Sequence, residues 1–183
     1  QTIPSEWVSN LTNFAAGSNL FHGTLPETHG GWQSIVEVLI PFNSISGTLP
    51  SSWGKLSSLQ RLSLSSNNLT GILPSNWLTL TSLVNLYVQL NALTGLLPSS
   101  WGPAMLHLTV FYAYGTIPSS LAGMVSLVVL ASSNSFTGTL PDTWGDWSLL
   151  ITIKLYDNML TGAPVPAAWV QSESAITCVR QSI

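Results

Sequence analysis

Charged residues are scarce in this chain. Only four of its 183 residues are Lys or Arg and seven are Asp or Glu, so 6% of the chain is charged, against about 25% in a typical soluble domain. The few basic residues form no stripe, which excludes the electrostatic footprint of a nucleic-acid-binding protein or of a polybasic membrane-surface segment. We therefore expect no nucleic-acid partner.

Long apolar runs are also missing. The densest one, MVSLVVLA at 124–131, is far shorter than the roughly 18 apolar residues of a membrane-spanning helix. We expect no membrane span in this chain. The first residues, QTIPSEWV, lack the basic and apolar segments of a signal peptide and already follow the pattern described below, as expected for a processed chain or a fragment.

Cysteine is almost absent, since Cys178 is the single one. An internal disulfide is therefore excluded. Two interpretations stay open for this residue: a buried thiol, or a thiol that forms an intermolecular bridge.

Signals of catalysis are missing as well. The three histidines, His22, His29 and His107, do not have the spacing of a metal-binding motif. The carboxylates show no motif that would pair them for acid–base chemistry, and no phosphate-binding loop is present. We predict a protein without enzymatic activity, metal or cofactor.

Two sequons for N-glycosylation are present, at Asn10 and Asn68. Attached glycans would supply the solubility that a surface so poor in charge lacks. We therefore predict an extracellular or cell-surface glycoprotein.

What the chain has instead of charge is a repeat. Near-copies of one string recur along the chain: GTLPSSWG at 47–54, GILPSNWL at 71–78, GLLPSSWG at 95–102 and GTLPDTWG at 138–145. With degraded copies such as GTIPSSLA at 115–122 included, the prolines of successive copies are 20 to 25 residues apart. A string that recurs at such a step is typical of a solenoid or another repeat architecture.

Each repeat contains two hydrophobic periods. Trp53, Leu56 and Leu59 are three residues apart, as in a short 3₁₀ or helical turn, whereas Leu62 and Leu64 are two apart, as on one face of a strand. A strand, a helical segment and a connecting turn per repeat predict an α/β solenoid whose strands form a parallel sheet.

The invariant positions are interpreted as a structural frame. An Asn four residues before each repeat glycine would bond backbone groups of neighbouring coils, the glycine would form the turn, and the Trp side chains would stack in a column. The frame residues predicted in this way are Asn43, Asn67, Asn91 and Asn158 in the ladder and Trp53, Trp77, Trp101 and Trp144 in the column.

The string LQRLSLSSNNLTGILP at 59–74 resembles the 24-residue plant-type subclass of leucine-rich repeats. The Trp three residues after GTLP is similar to the repeats of trypanosomatid surface antigens and proteophosphoglycans. The resemblance implies one right-handed solenoid over 1–183, with about seven coils in 3–162 and an incomplete terminal coil at 163–183. It also implies a concave face of parallel strands, a convex face of helical or 3₁₀ turns, and extracellular recognition or adhesion without chemistry.

The unit at 97–115 departs from the pattern: it is four residues short and lacks the ladder Asn, which predicts a local break or an imperfect sequence there.

The variable residues between the strand leucines are predicted to line the concave face and to bind a protein or glycan ligand there. They are Glu37, Arg61, Tyr87, Gln89, Lys154, Tyr156 and Asp157, and the last belongs to a column that also holds Phe42, Ser66 and Leu90. The alternative is an ordinary solvated strand face.

Two further functions stay open. The ends of the solenoid would allow head-to-tail self-association into glycan-coated filaments. A flat, uncharged face bearing Thr would suit ice or another crystal surface, but Thr48, Thr70 and Thr139 are assigned to turns, which weighs against this function.

Overall fold

The computed structural model describes residues 1–4, 10–27, 32–94 and 98–101, together with five short strands further along the chain. The described residues form parallel sheets of seven, four and two strands together with a series of short 3₁₀ helices. Each repeat contributes one strand to the largest sheet, which we call the main sheet. The predicted solenoid with short parallel strands is confirmed at this level, whereas the count of seven coils and the helical convex face stay predictions.

The main sheet has seven strands, and every pairing in it is parallel. In spatial order they are β1 (Asn13–Ala15), β3 (Glu37–Leu39), β5 (Arg61–Ser63), β7 (Asn85–Tyr87), β9 (Val110–Tyr112), β10 (Val128–Leu130) and β12 (Thr152–Lys154). The central residues Val38, Leu62 and Leu86 are buried completely. They fix the register, because a slip by one residue would turn each of them to solvent.

The main sheet continues through the short repeat. β9 pairs with β7 on one side, where Phe111 faces Leu86, and with β10 on the other, where it faces Val129. The backbone pairing therefore continues through β9. Residues 97, 102–109 and 113–115 of this unit lie outside the described residues, and a local break among them stays a prediction.

Three 3₁₀ helices lie in the described part of the chain: η1 (Ser51–Lys55), η2 (Ser75–Thr79) and η3 (Ser99–Trp101). Pro50 and Pro74 precede the first two at φ −66° and −67°. Proline has this φ built in and needs no hydrogen-bond acceptor, so it suits the start of a helix. The helices bury their Trp side chains. Of the three residues with the spacing of three, Trp53 lies in η1 and Leu56 and Leu59 follow it, and a convex face of helical turns over the whole chain stays a prediction.

The second sheet was not predicted. It consists of four parallel strands: β2 (His22–Thr24), β4 (Ser44–Thr48), β6 (Asn68–Gly71) and β8 (Ala92–Leu93). Further along the chain, β11 (Thr137–Gly138) and β13 (Met159–Leu160) form a separate parallel pair. The prediction of turns at the repeat glycines is wrong here. Gly47 and Gly71 do have positive φ, 80° and 82°, but they have it within strands.

The core lies between the two sheets and the helices. It contains the strand centres of both sheets and the Trp side chains of the helices, and it is filled by Leu, Ile, Val and aromatic residues. In the described residues, no helix has the length and apolar character that crossing a membrane requires.

Candidate functional site

The exposed side of the main sheet carries the side chains that alternate with the buried strand centres. We call this surface the main-sheet face. In register across the first four strands, one column holds Asn13, Glu37, Arg61 and Asn85, and the next holds Ala15, Leu39, Ser63 and Tyr87. The first strands therefore bring together three of the predicted binding residues, Glu37, Arg61 and Tyr87.

A polar line connects three neighbouring strands of this face. Asn13 Nδ2 donates to Glu37 Oε2 at 2.8 Å, and Glu37 Oε1 forms an ion pair with the Arg61 guanidinium. The Glu37 side chain is 16% exposed and that of Arg61 is 55% exposed. The pair thus neutralises its own charge on the sheet and leaves most of the guanidinium available to solvent.

A third column follows the strands and has an unusual backbone. Ser18, Phe42, Ser66 and Leu90 all have positive φ, between 55° and 56°. Left-handed backbone is unfavourable for any residue with a Cβ, and especially so for bulky ones. Phe42 and Leu90 nevertheless occupy it while 60% exposed. The sequence placed these residues in a face column but held no signal of this conformation.

Two polar atoms beside this column have no hydrogen-bond partner within the described structure: Ser66 Oγ and Gln89 Oε1, both buried. Gln89 was predicted as a binding residue. Buried polar groups in native proteins nearly always have a partner, so an unpaired one calls for an explanation.

The Asn ladder holds successive coils together through side-chain amides. Asn67 is 8% exposed, donates from Nδ2 to the carbonyls of Ile40, Leu64 and Ser65, and accepts from the Ile45 amide. Asn43 and Asn91 make the equivalent bonds one coil before and after. These contacts satisfy backbone groups that would otherwise be unpaired inside the solenoid.

The Trp side chains form the column expected for the frame. The ring centroids of Trp53 and Trp77 are 6.5 Å apart with an angle of 7° between the ring planes. Those of Trp77 and Trp101 are 6.3 Å apart with an angle of 10°. Each indole Nε1 also donates to a proline carbonyl of the preceding coil. The ring centroids of Trp32 and Trp53 are 5.5 Å apart, so Trp32 continues the column.

The other predicted residues are distributed as follows. Asn10 and Asn68 are both exposed, in a turn and at the start of β6. Lys154 ends β12. His29, Tyr156, Asp157, Asn158, Trp144 and Cys178 lie outside the described residues. In the part of the chain that is described, no three His, Cys, Asp or Glu side chains are grouped to hold a metal ion.

One repeat of the chain matches a known family model. Residues 58–80, which include β5, β6 and η2, match the model described as Leucine Rich Repeat. The chain has a leucine-rich-repeat fold. No curated protein is significantly similar to it in sequence.

Solved structures with this leucine-rich-repeat fold are ectodomains of plant receptors among others. The plant peptide hormone receptor RGFR1, solved in complex with RGF2, is 27% identical with a TM-score of 0.81 over 94% of this chain and 29% of that chain. The Arabidopsis receptor kinase HAESA, in complex with the peptide hormone IDA and the co-receptor SERK1, is 25% identical with a TM-score of 0.61 over 87% and 32%. A plant ice-binding protein is 23% identical with a TM-score of 0.70 over 80% and 49%. The chain thus spans about a third or less of these receptors.

Proposed function

We propose that this leucine-rich-repeat chain is an extracellular, non-enzymatic recognition module that binds a peptide segment on its main-sheet face. The observation that carries the proposal is the Glu37–Arg61 pair on that face, beside Tyr87, in a chain with few charges elsewhere. Arg and Tyr are the residue types that most often dominate binding energy at interfaces.

The frame supports this function because it is rigid. The Asn ladder and the Trp column fix the strands through hydrogen bonds and ring contacts between coils. A surface held in this way loses little conformational entropy when a ligand binds. The side chains of the main-sheet face differ from one coil to the next, whereas those of the frame repeat. The variation that a specific ligand requires is therefore found on the proposed binding surface.

The similar receptors support the choice of a peptide as the ligand. RGFR1 and HAESA were both solved with peptides bound. This chain is 25 to 27% identical to them, so the likeness supports the class of ligand and not its identity.

A peptide-display experiment tests the proposal. The secreted protein is immobilised, a library of random twelve-residue peptides is selected on it, and the affinity of the best peptides is then measured. We expect Arg61→Gln and Tyr87→Ala to weaken binding roughly tenfold each. Lys55→Gln is the matched control, because Lys55 is also exposed and cationic but ends η1; its affinity should equal that of the wild type. Peptides that bind the Arg61 variant as well as the wild type would reject the main-sheet face.

An extracellular location would make Asn10 and Asn68 acceptors for N-linked glycans, since both side chains are accessible. Mass spectrometry of the secreted protein before and after enzymatic deglycosylation measures this. The filament alternative depends on residues near the chain ends, of which 5–9 and 161–183 lie outside the described residues, and it stays a prediction of the sequence.

A second candidate function, ice binding, is favoured by the second sheet. Thr48 ends β4 and Thr70 lies within β6, not in turns, and both are exposed together with Thr24 and Thr94. They form an uncharged hydroxyl-bearing surface whose strands are about 4.8 Å apart. The similar plant ice-binding protein supports only the fold for such a surface, because its identity is 23%.

Thermal hysteresis of unglycosylated protein tests the second candidate. If ice binding occurs on the second sheet, Thr48→Lys with Thr70→Lys should abolish the hysteresis, whereas Ser57→Lys, at an exposed site after η1, should preserve it. A wild-type protein without hysteresis and without inhibition of ice recrystallisation would exclude this function.

A further inference from the structure

Phe42 and Leu90 lie on alternate rungs of one backbone ladder. The Phe42 amide donates to the Ser65 carbonyl and the Ser66 amide donates to the Gln89 carbonyl, each at 3.0 Å. The third column therefore continues the parallel pairing of the main sheet. Since neighbouring strands are about 4.8 Å apart, the backbone positions of Phe42 and Leu90 are about 9.6 Å apart, with Ser66 between them.

This spacing matches one kind of peptide conformation. A polyproline II helix rises about 3.1 Å per residue with three residues per turn, so it presents every third side chain on one side at intervals of about 9.3 Å. An extended strand repeats every two residues, about 6.6 Å, which matches neither the distance of about 4.8 Å between neighbouring strands nor that of about 9.6 Å between alternate strands. An α-helix returns to the same side at i+3 or i+4, about 5 to 6 Å away, and at i+7, about 10.5 Å away, so it places an additional side chain over the polar Ser66.

The charge and polarity of the site also restrict the ligand. Glu37 and Arg61, the charged residues on the first four strands of this face, pair with each other. The part of the column between Phe42 and Leu90 therefore requires no charge on a segment that binds there. A polyproline II backbone makes no internal hydrogen bonds. Its carbonyls can accept from the Ser66 hydroxyl, and its free amides can donate to Ser66 Oγ or Gln89 Oε1. Both of these atoms are buried and lack a partner in the described structure, so each bond requires the side chain to turn outward.

We propose that Phe42 and Leu90 are the two anchor points for an uncharged, proline-rich segment in the polyproline II conformation, which crosses the strands with apolar residues three positions apart. This inference rests on the proposed function and specifies the ligand of the same face. The exposure of both apolar side chains on this face is explained if they contact a ligand.

Two synthetic peptides of identical composition test the spacing. Acetyl-LPPLPPLPP-amide has leucines three positions apart, and acetyl-PPPLLLPPP-amide has the same residues without the period. We expect the first to bind at least roughly tenfold more tightly in isothermal titration. Equal affinities, or tighter binding of the second peptide, would overturn the proposal.

Serine substitutions test the two anchors. Phe42→Ser and Leu90→Ser should each weaken binding of the periodic peptide roughly tenfold. Serine is compatible with this backbone, because Ser18 and Ser66 occupy the same column at φ 55°, and thermal melts should confirm that both variants are folded. Ile72→Ser is the matched control: Ile72 is 61% exposed, like Phe42, but follows β6 on the second sheet, so binding should be unchanged. Anchor variants that bind like the wild type would overturn the proposal.

The library selection and the defined peptides together distinguish a wrong ligand from a wrong function. If the random library yields peptides that need Arg61 while neither proline-rich peptide binds, the main-sheet face is the recognition site and the polyproline II ligand is wrong. If neither the library nor the defined peptides bind, both the ligand and the proposed function fail.

Discussion

The side chain of Asn67 donates a hydrogen bond from Nδ2 to the backbone carbonyl of Ile40, in the preceding coil, at 3.0 Å. Two more carbonyls, those of Leu64 and Ser65, surround the same nitrogen at 3.1 and 3.3 Å, while Oδ1 accepts from the Ile45 amide. The site therefore requires a donor on one side of the amide group and an acceptor on the other. Only Asn has both with this size and shape.

Asn67→Asp should be strongly destabilising although it changes one atom. The donor becomes an oxygen that faces three carbonyls, and a buried charge without a partner is added, so we expect a loss of about 3 kcal/mol in the free energy of unfolding at pH 7. The surroundings favour the protonated form and raise the pKa of the new carboxyl group. The loss should therefore shrink as the pH falls from 7 to 4, because protonation restores a donor and removes the charge.

Urea unfolding at both pH values measures this effect. Asn68→Asp is the control, because Asn68 is the next residue and is exposed; its stability should change by less than about 0.5 kcal/mol. Equal losses for the two variants would contradict the role of the ladder.

Gly47→Ala should be destabilising for two separable reasons. Gly47 has φ +80°, and a Cβ there would lie 2.8 Å from Thr24 Cγ2. We expect a loss of about 2 to 3 kcal/mol from the backbone conformation and the steric overlap together. Thr24→Ser removes the Cγ2 methyl group, so adding it to Gly47→Ala should recover the steric part, about 1 kcal/mol, while the backbone part remains.

A double-mutant cycle with thermal unfolding measures the two parts of that loss. Thr24→Ser alone should be nearly neutral, since Thr24 is exposed. Strictly additive effects of the two substitutions would show that the methyl group does not crowd the new side chain.

The repeat pattern predicts the main sheet and the frame well, for a physical reason. Leu62 and Leu64 are two apart and both buried completely, and a period of two identifies a strand even when it is short. Asn67 has the polarity of a surface residue, but its recurrence four residues before each glycine pointed to a structural role. Repetition thus substitutes for the long amphipathic segments on which sequence reasoning usually depends.

The second sheet and the third column were not predictable in the same way. The strands of the second sheet bury at most one residue each, such as Leu69 in β6, so they have no hydrophobic period. The glycine within β2, β4 and β6 is itself a turn signal. Positive φ is normally indicated by Gly or Asn. Phe42 and Leu90 give the opposite signal, and their conformation is imposed by the backbone ladder rather than by local preference.

Phe42→Asn should stabilise the protein and weaken the proposed binding. Asn tolerates positive φ far better than Phe, and Phe42 is 60% exposed, so little packing is lost. We expect a gain of about 0.5 to 1 kcal/mol in the free energy of unfolding. Denaturant titration measures the gain, with Ile72→Asn as the control, since Ile72 is equally exposed but is not among the residues with positive φ. A loss of stability in the Phe42 variant would mean that its ring packs in a way that its exposure does not reveal.

The Glu37–Arg61 pair should contribute to recognition much more than to folding. The Arg61 side chain is 55% exposed, and exposed ion pairs are typically worth less than about 1 kcal/mol because water and salt screen them. We therefore expect a coupling energy below about 1 kcal/mol between Glu37→Gln and Arg61→Gln in a double-mutant cycle, and a smaller one in 1 M NaCl. A coupling above about 2 kcal/mol would show that the pair stabilises the sheet. Weaker binding by the Arg61 variant could then result from loss of folded protein as well as from loss of a ligand contact. With a weak coupling the folded state survives the substitution, so loss of peptide affinity in Arg61→Gln reports on the main-sheet face itself.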